Sequence, residues 1–206
     1  MIKSKHHIVI YPLFKRLTQY LLKRKFKSID IQGEYNDTGK PVLVIANHIG
    51  WWDGFWLMHL NLKILHRKFH FMMLEEQLKK HWYFQYTGAF SVKKHSRSVV
   101  ESINYTTELL NDSKNMVFMF PQGEINSLYN NVMHFEKGIQ RIIEHCHDEV
   151  QVIFVANLID YFSNSKPSLY IYMQTDSSQN LKDKSIEKEY NKFYNNILDI
   201  QKTKTS

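Results

Sequence analysis

Short apolar runs rich in β-branched residues alternate with helix-like stretches along this chain, and that alternation constrains its fold more than any other feature. Val42-Leu43-Val44-Ile45-Ala46 reads as a fully buried strand, preceded by the turn-forming Asp37-Thr38-Gly39-Lys40-Pro41. Residues 69–74, 88–92, 115–120, 150–156 and 168–173 have the same character, and Ile29-Asp30-Ile31 is a shorter strand. Helical spacing is predicted over about residues 8–27, 54–62 and 75–84. Ser98-Val99-Val100-Glu101 is a capping box, opening a helix whose apolar stripe is Val99, Ile103, Thr106 and Leu110. A further helix sets Ile139, Ile142, Ile143 and Cys146 on one face, and a charged tail helix covers about residues 184–200. This order predicts βαβ units and an α/β fold in three layers, a mostly parallel sheet flanked by helices. The loops after Ala46 and after Phe120 then leave the same edge of the sheet and can meet there.

Composition narrows the partners. Lys and Arg exceed Asp and Glu by 27 to 20, a formal charge of +7. A basic surface suits phosphate-bearing partners, although a merely solvated basic surface has the same count. Nucleic acid ranks last, because no aromatic-and-basic sheet motif or recognition helix is visible. The single cysteine, Cys146, rules out an internal disulfide and fits a reducing compartment. Neighbouring helical side chains point in different directions, so His145-Cys146-His147 cannot converge on one ion, and no metal is expected. No stretch approaches the ~20 apolar residues of a membrane-spanning helix. The chain is therefore expected to be soluble or to lie on a membrane surface.

Residues 1–28 are expected to form an amphipathic, basic helical segment ahead of a single α/β domain over residues 29–206. Leu13, Phe14, Leu17, Tyr20 and Leu21 mix there with Lys15, Arg16, Lys23, Arg24, Lys25 and Lys27. Two readings are open: an interfacial helix on anionic lipid, or an ordinary helix capping the core.

The chemistry concentrates after the Val42 strand, in Asn47-His48-Ile49-Gly50-Trp51-Trp52-Asp53. An imidazole at a strand's carboxyl end lies where open α/β sheets place their ligands. A carboxylate five residues on can turn back to accept the ring N–H, which fixes the tautomer and leaves the other nitrogen basic. No Ser or Cys lies between them, so the pair points to activation of a substrate's own hydroxyl. Trp51, Trp52, Phe55 and Trp56 surround the pair; they suit either core packing or an acyl-chain groove and membrane-interface belt.

Five blocks in order carry a resemblance: residues 47–53, 88–94, 120–127, 135–138 and 152–156. Asn-His-x4-Asp, Gly-Ala-Phe-x-Val-x-Lys, Phe-Pro-Gln-Gly-Glu, Phe-x-Lys-Gly and a final apolar strand resemble the glycerolipid acyltransferase family, which includes the lysophosphatidic acid acyltransferases. The resemblance implies that family's fold. It also implies His48 as general base and Asp53 as its orienting partner in acyl transfer from an acyl-CoA or acyl carrier protein thioester. The acceptor would be a lysophospholipid such as 1-acylglycerol-3-phosphate. No cofactor is expected beyond that thioester co-substrate. The implied location is the cytoplasmic face of a membrane, peripheral or monotopic. Expected substrate contacts are Asn47, Lys93, Lys94, Arg97, Pro121, Gln122, Gly123 and Glu124, with Trp51, Trp52, Phe55 and Trp56 for the acyl chain or membrane.

Two blocks depart from the family pattern. Phe-Pro-Glu-Gly-Thr-Arg becomes Phe120-Pro121-Gln122-Gly123-Glu124-Ile125, and Asp-Arg becomes Lys93-Lys94. Gln122 is a neutral amide in place of an acid, Glu124 could substitute for that carboxylate one position late, and Ile125 replaces a cation. Lys93, Lys94 and Arg97 can still attract phosphate, without the fork of a guanidinium at Lys94. Pro121 and Gly123 also suit a turn off a buried strand, and Lys137-Gly138 a helix-start turn. Alternatives to thioester-dependent transfer are a phospholipid–lysophospholipid transacylase and a non-catalytic basic lipid-binding protein.

Overall fold

Every residue of β2 (Val42–Ala46) is buried, and its side chains divide between two cores, Val42, Val44 and Ala46 on one side of the sheet and Leu43 and Ile45 on the other. A strand covered on both faces has no use for a polar face, which is why the run carries no polar residue. The structure is a computed structural model of the 206-residue chain and describes residues 1–93, 98–146 and 148–205.

Among the described residues, β2 is central to a seven-stranded sheet with β1 (Ser28–Gln32), β3 (Lys68–Leu74), β4 (Ala89–Val92), β5 (Asn115–Met119), β6 (Gln151–Asp160) and β7 (Ser168–Ser177). The order is β1-β7-β6-β2-β5-β3-β4. From β6 to β4 all neighbours are parallel; β7 is antiparallel to β6, and β1 pairs parallel with β7. The expected mostly parallel α/β sheet is present, with one edge reversed. β6 and β7 are each longer than their apolar runs, because the register continues through Asp160↔Ser168.

Helices form a layer on each face. One layer holds α1 (Ile10–Lys25), α2 (Asp53–Leu60) and α3 (Glu75–Lys80); the other holds α4 (Ser98–Leu109), α5 (Gly138–His145), α6 (Ser178–Leu181) and α7 (Ile186–Lys202). Two predicted helices are modified. α2 runs into a π-helical turn over Asn61–Leu65, closed by His66 in the left-handed region (φ 53°). The helix predicted over residues 75–84 breaks at His81, and Trp82–Tyr86 forms a 3₁₀ turn instead. That run is Trp-Tyr-Phe-Gln-Tyr, and bulky aromatics are mediocre helix formers. Gly88 follows at φ 105°, where a Cβ would stand 1.9 Å from the Phe69 carbonyl oxygen, so only glycine fits.

The tail helix is not merely charged. Ile186, Tyr190, Phe193, Tyr194 and Ile197 of α7 are buried in the second core. Nor does the N-terminal segment stand apart: Phe14, Leu22 and Phe26 belong to the first core, and residues 2, 5 and 7 make main-chain bonds to residues 91, 85 and 86.

Candidate active site

β2 ends at the sheet's carboxyl edge, and the next residues build the site. Asn47 is completely buried. Its amide donates to the Asn157 carbonyl (2.9 Å) and its Oδ1 accepts from the Asn157 N–H (2.7 Å), so it fastens the end of β2 to β6. The substrate contact expected of Asn47 is replaced by this main-chain staple, since both of its polar atoms are committed inside the protein.

Asp53 opens α2 and turns back over the loop. One oxygen, Oδ2, accepts from the Ile49 N–H (2.6 Å), the Gly50 N–H (3.0 Å) and His48 Nδ1 (2.7 Å). Three donors on one oxygen hold the loop and the ring together. The carboxylate is 0 % exposed, while the His48 side chain remains 24 % exposed. Burial pushes the Asp53 carboxyl above its usual range; the bonds from His48, Gly50 and Ile49 oppose this without cancelling it. With Nδ1–H committed to Asp53, Nε2 is the nitrogen left to accept a proton.

The loop after β5 holds the same histidine from the other side. Phe120 stacks on the imidazole, with ring centres 4.2 Å apart and planes within 8°. Gln122 Oε1 accepts from the His48 main-chain N–H (2.7 Å), and the His48 carbonyl accepts from the Asn126 N–H (2.9 Å). Gln122 Nε2 donates to Asn126 Oδ1 (2.9 Å), which closes a ring of bonds around the His48 backbone. The first contact fixes the amide's orientation, since only its oxygen can face an N–H. A glutamate could repeat that contact but could not donate to Asn126, so Gln122 and Asn126 act as a pair.

Pro121 and Gly123 make the turn that this ring requires. Gly123 lies at φ 67° and donates its N–H to the Phe120 carbonyl (3.1 Å), and the buried Pro121 accepts from the Glu136 N–H (2.8 Å). Glu124 is exposed and accepts from the Asn126 amide (3.3 Å), and Ile125 is exposed beside it. Lys93 is exposed just beyond β4. Three strand spacings separate β4 from β2, about 14 Å at the usual 4.8 Å. Lys94 and Arg97 lie outside the described residues.

The four aromatics divide. Phe55 and Trp56 are core residues, packed against Phe14 and Phe26, so burial removes them from the acyl-chain or membrane role expected of them. Trp52 is half-buried against Phe26 and Phe55, and Trp51 is exposed. Sequence reasoning missed Asn126 and Tyr190. Asn126 follows the Gln-Gly-Glu turn by two residues, and an amide there was the available signal. Tyr190 donates to the Val155 carbonyl (2.8 Å) beneath the site, and burial holds its phenol far above the ordinary value. Burial also raises the Cys146 thiol to about 11, which leaves it a poor nucleophile. Among the described residues, no group of three or more His, Cys, Asp or Glu side chains could hold a metal.

A search of curated proteins finds no match to this chain. The Acyltransferase family model matches residues 28–158, from β1 through all but the end of β6. That span includes both loops of the site and covers more than half of the chain, so the protein is an acyltransferase and belongs to the glycerolipid acyltransferase family.

Proposed function

We propose that this acyltransferase moves a fatty acyl group from an acyl-CoA or acyl carrier protein thioester to the hydroxyl of a lysophospholipid or related amphiphilic alcohol. His48 is the general base in this reading, and Asp53 orients it. The observation that carries it is the 2.7 Å bond from His48 Nδ1 to a fully buried carboxylate, on a ring whose other edge reaches solvent. The acceptor O–H gives its proton to Nε2 as the oxygen attacks the thioester carbonyl carbon. Collapse of the tetrahedral adduct breaks the C–S bond, and the departing sulfur takes the proton from the imidazolium. No covalent enzyme intermediate is needed. A positioned base contributes roughly 10²–10⁴-fold, and holding two substrates in line supplies much of the remainder.

The main-chain ring of Gln122 and Asn126 supports the same reading, because it fixes where the imidazole stands without adding a second charge beside it. Lys93, exposed at the end of β4 and three strands from β2, is in this reading a contact for a phosphate of the acceptor or of the CoA or pantetheine arm. Ile125, where the family carries a cation, leaves Glu124 as the charged group of the turn. The acceptor panel therefore needs a neutral alcohol such as monoacylglycerol beside 1-acylglycerol-3-phosphate.

The test uses purified protein, labelled acyl-CoA and acyl carrier protein, and that panel. Transfer that disappears in His48→Ala upholds the assignment, and full activity in His48→Ala ends it. Transfer from phospholipid with no thioester present would instead identify a transacylase. Lipid binding without turnover, unchanged by loss of His48 or Asp53, would identify a non-catalytic lipid-binding protein.

A further inference from the structure

We infer, resting on the acyl transfer proposed above, that the acceptor bound beside His48 is an amphiphilic alcohol with an uncharged headgroup, of the monoacylglycerol kind, and that Glu124 and Ile125 set this preference. The chain holds 27 Lys and Arg in 206 residues, about one in eight. They are not spread evenly. Residues 41–62, 115–136 and 142–165 contain none. Those stretches hold β2, β5 and β6 together with the loops that leave their carboxyl ends. They are therefore the strand that carries His48, its two neighbours in the sheet, and the rim around the imidazole. Buried strands exclude charge in most proteins, so the strands alone decide nothing. The loops decide, because they reach water: Trp51, Ile125, Tyr129, Val132 and Tyr161 are each more than half exposed.

A phosphomonoester carries nearly two negative charges at pH 7 and needs partners when it leaves water. Proteins supply those partners as cations or as main-chain N–H groups at the start of a helix. The three loops offer no Lys or Arg, and the donors ahead of α2 are spent. The Ile49 and Gly50 N–H groups donate to Asp53 (2.6 and 3.0 Å), and the His48 N–H donates to Gln122 (2.7 Å). Asp53 is itself the anion that the N-terminus of α2 attracts.

The turn after β5 adds charge of the wrong sign for phosphate. Over residues 121–133 Glu124 is the single charged side chain. It is tied to the base through one residue: Asn126 donates its amide to Glu124 (3.3 Å) and its N–H to the His48 carbonyl (2.9 Å). A dianion entering beside His48 meets a like charge there, and a glycerol hydroxyl does not. Other cations stand on other elements. Lys93 is at the end of β4, three strands from β2, and Lys137 precedes α5 in the layer opposite α2.

The test compares 1-oleoylglycerol with 1-oleoylglycerol-3-phosphate, each as dispersed monomer, using one acyl-CoA. The ratio of kcat/KM should favour the neutral acceptor at least tenfold. Glu124→Thr with Ile125→Arg, both on the exposed turn, should move that ratio at least fivefold toward the phosphate, through KM, with the melting temperature unchanged. A parent that prefers the phosphate acceptor overturns the inference, as does a ratio that the double variant leaves in place. A ratio that responds to Lys93→Gln and not to the double variant would assign acceptor recognition to β4 and overturns it as well. Binding is measured beside turnover, from the tryptophan emission of His48→Ala with 1-O-dodecylglycerol and with dodecyl phosphate. At least fivefold tighter binding of the ether sustains the headgroup preference even where no thioester is consumed, an outcome that removes only the reaction. Equal or tighter binding of dodecyl phosphate, or binding of neither, overturns the preference whatever the turnover.

Discussion

The two helical layers of this protein differ in what they leave at the surface. α7 buries Ile186, Tyr190, Phe193, Tyr194 and Ile197 and shows water both signs of charge, among them Lys188, Lys192 and Asp199. α4 and α5 likewise pack one apolar face against the sheet. The opposite layer is irregular. It contains the π-helical turn after α2, the 3₁₀ turn before β4, and the exposed aromatics, and the Asp53 end of α2 belongs to it. α1 in that layer has apolar residues inward and outward and cations without acids. The contrast teaches that both faces of the sheet carry a buried core, while the candidate site and the irregular turns belong to one of them. It can be broken by substitutions that affect the wrong property.

The largest effects test the division directly. His48→Ala should lower kcat by roughly 10²–10⁴, with only a modest fall in melting temperature from the lost bond to Asp53 and stack on Phe120. Phe193→Ala in α7 should do the reverse. Removing a buried aromatic costs about 4 kcal/mol and lowers the melting temperature by on the order of 10 °C. The kcat of the protein that remains folded should be unchanged. Loss of turnover in Phe193→Ala at a temperature where it is fully folded would refute the separation.

Asp53→Asn joins the two properties in one residue. An asparagine oxygen in the place of Oδ2 can still accept from Ile49, Gly50 and His48 Nδ1, but the negative charge that stabilises the imidazolium is gone and the amide takes the buried place of Oδ1, which meets no partner, so kcat should fall at least a hundredfold. Burial raises the Asp53 carboxyl, so the folded state holds its proton more tightly than the unfolded chain does. The stability this provides is full below the unfolded carboxylate value and is lost as pH rises through the folded one. At pH 7 the ionised group therefore burdens the fold, and Asp53→Asn should be as stable as the parent or more so. Urea unfolding at pH 7 checks the sign, and a clear loss of stability would show that the three hydrogen bonds outweigh burial.

The second face predicts an acid limit. His70 of β3 donates from Nε2 to Asn115 Oδ1 (3.3 Å) and accepts from the Ser4 hydroxyl at Nδ1 (3.0 Å), and Ser4 in turn bonds the Tyr105 phenol (2.9 Å). Burial first, then His6 and Lys68, push its pKa down to about 3, against the pull of Asn115 and Asp112. The unfolded chain takes up this proton near pH 6.5, so the stability from neutral His70 is full above that value and drains away below it. About 3 kcal/mol should be lost between pH 7 and pH 4. His70→Gln should flatten that slope, and unfolding curves at the two pH values would show it.

How much of this was legible beforehand depended on the range of the interaction. Residues 42–46 carry their own burial pattern, and His48 and Asp53 lie within one loop, so strand and pair could be read locally. The order of the strands could not, because β1 pairs with β7 across 140 residues (Ser28↔Ser168) and both run against the rest. Gln122 read as an acid lost, since its donation to Asn126 exists only once the two loops close around His48. The stripe of α7 was present in the sequence at helical spacing, hidden among lysines and glutamates. For α1 the core-capping reading holds for Phe14, Thr18 and Leu22, and only a packed structure shows that Leu13 and Leu17 remain outside.

The smallest expected effect is the sharpest probe of the contrast. Leu17 of α1 and Ile200 of α7 are comparably exposed, at 45 % and 41 %. Surface substitutions away from packed features stay within about 0.5 kcal/mol, so Leu17→Ser and Ile200→Ser should both leave the melting temperature nearly unchanged. Hydropathy alone would make them equivalent in every assay. The surroundings do not: Leu17 lies in an apolar stripe among cations, whereas Ile200 neighbours Asp199 and Lys202, which pair with each other (2.9 Å). In the interfacial reading of α1, anionic vesicle binding should weaken severalfold in Leu17→Ser and remain at the parent level in Ile200→Ser. Equal losses in the two variants would mean that the helices present the same kind of surface, and the distinction between the layers would then rest on catalysis alone.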